Sequence, residues 1–98
     1  MRNVTDKKIT PSSGNVFADL GFDSAEAQLL EMRAKLMIAL EKAIKEQNMT
    51  QTAAAKILGV SQARVSDLIR HRTEKFSLDM LVTFAAKLGR PAKLTLAR

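Results

Sequence analysis

The stretch Gln51 to Arg70, QTAAAKILGVSQARVSDLIR, constrains this chain more than any other. It reads as two short helices joined by a tight turn. Thr50 is an N-cap for the first, since its hydroxyl can accept a hydrogen bond from an orphan amide two or three residues on. Ala54, Ala55, Ile57 and Leu58 give that helix an apolar side. Gly59 stops it, because glycine enters the left-handed conformation without steric cost. Ser61 is the second N-cap. Val60 before it and Val65 four residues after it have the spacing of a hydrophobic staple. Val65, Leu68 and Ile69 form the buried face of the second helix. The other face carries Gln62, Ala63, Arg64, Ser66, Asp67 and Arg70. A short helix with such side chains outside suits a major groove, where they can pair with base edges.

Ala55 is small enough for the two helices to cross closely. The pattern of glutamine, alanine four on, glycine eight on, and apolar residues fourteen and seventeen on resembles the helix-turn-helix of phage repressors, Cro proteins and the xenobiotic-response-element (XRE) regulators. The resemblance implies a helix docked in a DNA groove. A plain helical hairpin in an all-α core is the alternative.

Charge points the same way. The chain of 98 residues has the length of one domain, and its net charge is +6. Residues 1–24 and 25–50 each balance to zero, while 51–76 and 77–98 each carry +3. The whole excess lies with the motif and after it, where it can attract a phosphate backbone. The chain has no cysteine, hence no disulfide framework and no thiolate metal site, and it fits a reducing cytosol. No apolar run approaches the roughly 20 residues of a membrane span, and no signal-peptide core is evident. A cytoplasmic location is expected.

Before the motif, residues 1–22 read as a flexible and docking segment. Met1 to Pro11 has no apolar period, and Ser12 to Gly14 reads as flexible. Val16, Phe17, Leu20 and Phe22 are apolar points that suit docking on the chain's own helices, on a second copy or on a partner. Residues 23–91 read as the DNA-binding domain. Asp23, with Glu26 three residues later, opens a long helix to about Gln47. Leu29, Leu36, Leu40, Ala43 and Ile44 form its stripe, widened by Leu30, Met37 and Ile38. A break near Met32 to Lys35 is the alternative. At roughly 36 Å, the helix is longer than a four-helix domain needs, so its N-terminal half should reach a partner or second subunit. After the basic loop His71 to Lys75, Phe76, Ser77 and Leu81 staple and cap a last helix, Leu78 to Leu88. Leu78, Leu81, Val82, Ala85 and Leu88 are its expected core face. Gly89 and Pro91 end it. Residues 92–98, AKLTLAR, alternate polar and apolar and read as a short strand. A lone strand must find a partner, which suggests the same strand of a second copy across a two-fold axis.

SGNVFADLGF, a long helix, the helix-turn-helix, FSLDMLVTFAAKLGR and a short strand together look like the small XRE-type antitoxins of the HigA kind, over residues 12–98. The resemblance implies an all-α, lambda-repressor-like bundle of four to five helices with a short C-terminal β-strand. It further implies a dimer that represses its own promoter and neutralises a ribosome-dependent mRNA-cleaving toxin. A stand-alone XRE regulator without a toxin, or a protein-binding module using the N-terminal segment, are the alternatives.

The expected base readers are Gln62, Ala63, Arg64, Ser66 and Asp67. Ala63 stands where related regulators often have a polar reader, so it would offer apolar contact to a thymine methyl. The expected phosphate contacts are Thr50, Gln51, Ser61, Arg70, Arg72 and Lys75, on a palindromic double-stranded operator. No cofactor, metal or catalytic residue is expected. His71 is the only histidine, and it has no evident partner for acid–base work or metal binding.

Overall fold

The computed structural model describes residues 15–97. Helix α1 spans Val16–Asp19, α2 Ser24–Glu46, α3 Gln51–Leu58, α4 Gln62–Ile69 and α5 Leu78–Lys87, with a 3-10 turn at Thr73–Lys75. The readings of Met1 to Gly14 lie outside the described residues. Helix α2 runs unbroken through Met32 to Lys35.

Every helix starts on a polar cap. Asn15 Oδ1 accepts from the Phe17 and Ala18 amides at 3.0 and 3.3 Å, and Asp23 Oδ1 from Glu26 at 2.9 Å. Thr50, Ser61 and Ser77 do the same for the amides of Ala53, Arg64 and Met80 at 3.0, 3.1 and 3.2 Å. Each cap satisfies an orphan donor and is worth about 1 kcal/mol.

Every helix also ends alike. One residue turns left-handed, and the next amide bonds back to the carbonyl five residues earlier. The turning residues are Gly21, Asn48, Gly59, His71 and Gly89. The returning bonds run from Phe22 to Phe17, Met49 to Ile44, Val60 to Ala55, Arg72 to Asp67 and Arg90 to Ala85, at 2.9–3.2 Å. This is the Schellman closure. Lys87 Nζ adds to the α3 end by donating to the Leu58 carbonyl at 3.2 Å. His71, with φ of 58°, is the unusual member. A left-handed side-chain-bearing residue costs roughly 1–2 kcal/mol. Its Nε2 meets Glu41 Oε1 at 2.7 Å, which ties the α4 terminus to α2. This bond, with Lys45 at 3.1 Å, holds the Glu41 carboxyl below its ordinary value.

Two compact units divide between Met32 and Arg33. In the first, the Phe17 and Phe22 rings meet edge-on at 6.2 Å, and Asn15 Nδ2 donates to the Ala27 carbonyl at 3.1 Å. The second unit holds the main core. Met37, Leu58, Val65, Leu68 and Leu81 are its largest fully buried side chains, joined by Leu40, Ile44, Ala54, Ala55, Phe76, Phe84, Ala85 and Leu88.

Some expected core positions differ. Ile38 and Ile57 are exposed because they lie off the buried line of their helices, whereas Leu29, in phase with Leu36 and Leu40, is exposed because it belongs to the first unit and not to the main core. In α5 Phe84 joins Leu81 and Ala85 in the core, and Val82 and Leu78 are half-buried. The expected C-terminal strand is also corrected: residues 92–97 form no strand among the described residues. A strand needs a neighbour for its amides and carbonyls, and no second extended segment pairs with this one among the described residues. Ala92 packs against the core, whereas Leu94 and Leu96 are exposed.

Candidate nucleic-acid interface

Helices α3 and α4 with the turn between them build the candidate surface. Gly59 sits at φ 74°, so a side chain there would be strained. The strain is conformational and not steric, since a Cβ would meet the Lys87 ammonium only at an ordinary contact distance of 3.6 Å. The turn delivers Ser61 to the N-terminus of α4. Val65 and Leu68 then hold α4 down on the core, both essentially without exposure.

With that face fixed, helical phase assigns the rest. Gln62 and Ala63 are exposed, together with the cap Ser61, and so is Arg70 one turn beyond Ser66. Ser66 is half-buried on the flank. On the α3 side, Thr50 is exposed and Gln51 half-buried, both at its N-terminus. Ser61, Gln62, Ala63 and Arg70 thus form one accessible strip along α4.

Arg64 and Asp67 behave differently from the other expected base readers. Arg64 is half-buried and turns toward the loop after α4. Its Nη1 donates to the Lys75 carbonyl at 3.1 Å, and its guanidinium lies 5.6 Å from the centre of the Phe76 ring. The Asp67 carboxylate faces two cations of the same loop, Arg72 Nε at 4.0 Å and Lys75 Nζ at 3.6 Å. Arg72 and Lys75 therefore stand beside α4 as a cationic ledge rather than as loose side chains.

Sequence reasoning missed one residue here. Arg33, on α2, places Nη1 at 3.4 Å from both the Thr73 and Phe76 carbonyls. Its Nε is buried without a partner. An arginine at the margin of an apolar stripe was the available signal. Its stem can lie along apolar surface while its head reaches out.

In the first unit, Val16, Leu20 and Phe22 are exposed, and Leu29 joins them. Phe17 is half-buried against Phe22. Among the described residues no cluster of three or more acidic or histidine side chains could hold a metal ion. No described helix is long and apolar enough to cross a membrane.

Comparison with known proteins agrees with this geometry. No curated protein matches the chain. A solved structure described as an XRE family transcriptional regulator is similar, with a TM-score of 0.70 and 29% identity, over 74% of this chain and 82% of that one. The helix-turn-helix domain family matches residues 16–96. With α3, the Gly59 turn and α4 placed as they are, the chain belongs to the helix-turn-helix domain family.

Proposed function

We propose that the protein is a sequence-specific DNA-binding transcriptional repressor, with α4 as the helix that enters the major groove. The observation that carries this is the accessible strip Ser61, Gln62, Ala63 and Arg70 beside the cations Arg72 and Lys75. Gln62 is the leading base reader, suited to a bidentate pair with adenine. Ala63 offers its methyl group to a thymine. Arg70, Arg72 and Lys75, with Thr50, Gln51 and Ser61 at the N-terminal ends of α3 and α4, contact phosphates. Selection of binding sites from a random DNA pool tests the assignment. Gln62→Ala should relax the consensus at one position, at about 1–3 kcal/mol of discrimination. An unchanged consensus at unchanged affinity would reject it.

The repressor acts as a homodimer on a two-fold symmetric operator. One short helix reads few base pairs, and two copies can occupy successive major grooves about 34 Å apart. The C-terminal tail suits the joint. Leu94 and Leu96 are 68% and 96% exposed. A groove of about 230 Å³ lined by Leu36, Leu40, Ala43, Ala85 and Leu88 opens nearby in the same unit. The tail of a second copy would gain a strand partner and cover its leucines. Removing residues 92–98 should convert the dimer to a monomer in sedimentation at micromolar concentration; a truncated protein that stays dimeric moves the joint elsewhere.

The protein is further an antitoxin, whose first unit binds a ribonuclease toxin. The exposed Val16, Leu20, Phe22 and Leu29 support a partner there, since one small segment holds several uncovered apolar side chains. The product of the neighbouring reading frame should copurify with the protein and be lost on Leu20→Asp. Copurification that survives Leu20→Asp and Phe22→Asp together would exclude this surface.

A further inference from the structure

The geometry points to Asp67 as an internal stand-in for a DNA phosphate, which holds back the loop cations Arg72 and Lys75 and so limits binding to non-operator DNA. The inference rests on the DNA-binding reading above and concerns how strongly the protein holds the DNA backbone.

Three observations carry it. First, the carboxylate lies 4.0 Å from Arg72 Nε and 3.6 Å from Lys75 Nζ, so one negative charge serves two cations. Seen by an approaching backbone, this ledge carries one net positive charge instead of two. Second, the Arg72 and Lys75 side chains remain 49% and 46% exposed, and that of Asp67 is 23% exposed. Ion pairs this open are individually weak, being solvated and screened. They are weak enough for a phosphate to replace the carboxylate when the protein docks. Third, the loop does not need Asp67 to keep its shape. The Lys75 carbonyl is held by Arg64, and the Thr73 and Phe76 carbonyls by Arg33. Phe76 itself is buried.

The sign of the effect follows. Two influences oppose each other when the carboxylate is neutralised. Arg72 and Lys75 lose a partner that orients them, which would weaken binding. They also lose the charge that competes with phosphate, which would strengthen it. Because Arg33, Arg64 and Phe76 fix the loop backbone, orientation survives and the charge effect wins. Non-specific binding is essentially all electrostatic, so the gain appears there directly, and operator binding through the same cations gains a similar factor. Asp67 therefore limits the hold on the DNA backbone without touching a base. Arg64 is a positioning residue, turned from the groove to brace the ledge.

The test is Asp67→Asn, which removes the charge and keeps the shape. Binding is measured against a mixed-sequence duplex and against the duplex recovered by site selection, over a range of salt. The expected result is several-fold tighter binding to the mixed duplex and a salt slope steeper by about 1. The selected consensus should stay the same, and operator affinity should rise by a similar factor. In a Lys75→Met background the gain should shrink to about half, with one cation left to release. Asp79→Asn makes the same charge change at an exposed site on α5 and should have little effect. Three results would overturn the inference. A consensus changed at one position would make Asp67 a base reader. Weaker binding with a shallower slope would make it an orienting group. An equal gain from Asp79→Asn would reduce the effect to net charge. Absence of DNA binding by the unaltered protein would instead defeat the DNA-binding reading itself.

Discussion

Leu68→Ala should cost about 2–5 kcal/mol of folding stability. Leu68 is 1% exposed and belongs to the cluster shared by α2, α3, α4 and α5. Truncation leaves a cavity where α4 packs, and the neighbours are themselves fully buried, so collapse around it is limited. A small domain has about 5–15 kcal/mol in total, so the loss threatens folding itself. DNA binding should weaken in parallel, since Leu68 and Val65 are what press the exposed strip outward. Denaturant titration measures the cost. Leu68→Met, which nearly conserves volume, should cost under about 1.5 kcal/mol. A Leu68→Ala protein with unchanged stability would mean that α4 is not seated as described.

Joint replacement of Arg70, Arg72 and Lys75 by alanine should give the largest loss of DNA affinity. Each phosphate contact contributes about 0.9 to the slope of log affinity against log salt. Losing all three should reduce the slope by about 2–3 and weaken binding to every sequence alike. The three need not contribute equally. Arg70 has no ion pair among those described, whereas Arg72 and Lys75 face Asp67. Arg70→Ala alone should therefore cost more than Lys75→Ala alone. An unchanged slope in the triple variant would remove these residues from the interface.

The local sequence made much of this architecture legible. Thr50, Ser61 and Ser77 cap where their hydroxyls were expected to. Gly59 and Gly89 turn left-handed where they stop helices. Val65, Leu68, Leu81 and Leu88 are buried on the expected faces. These features depend on a few neighbouring residues and on the helical period. What escaped depends on residues far apart in the chain. His71 as the left-handed terminus of α4 needs Glu41, thirty positions away. Arg33 ties a loop some forty positions away. Helical phase alone put Arg64 and Asp67 outward. The loop that draws them aside becomes visible only when Phe76 is buried and its carbonyl is held. The C-terminal alternation described a strand but could not supply its neighbour.

Helix α4 and the ledge beside it should be the surface that meets DNA. Titrating the isotope-labelled protein with its selected duplex, and following the backbone amides by NMR, tests that most directly. The predicted outcome is saturable shifts concentrated at Thr50, Gln51 and the segment 61–75, which vanish with a scrambled duplex at moderate salt. Shifts confined to α1, the start of α2 or the C-terminal tail, or no saturable response to any duplex, would contradict it.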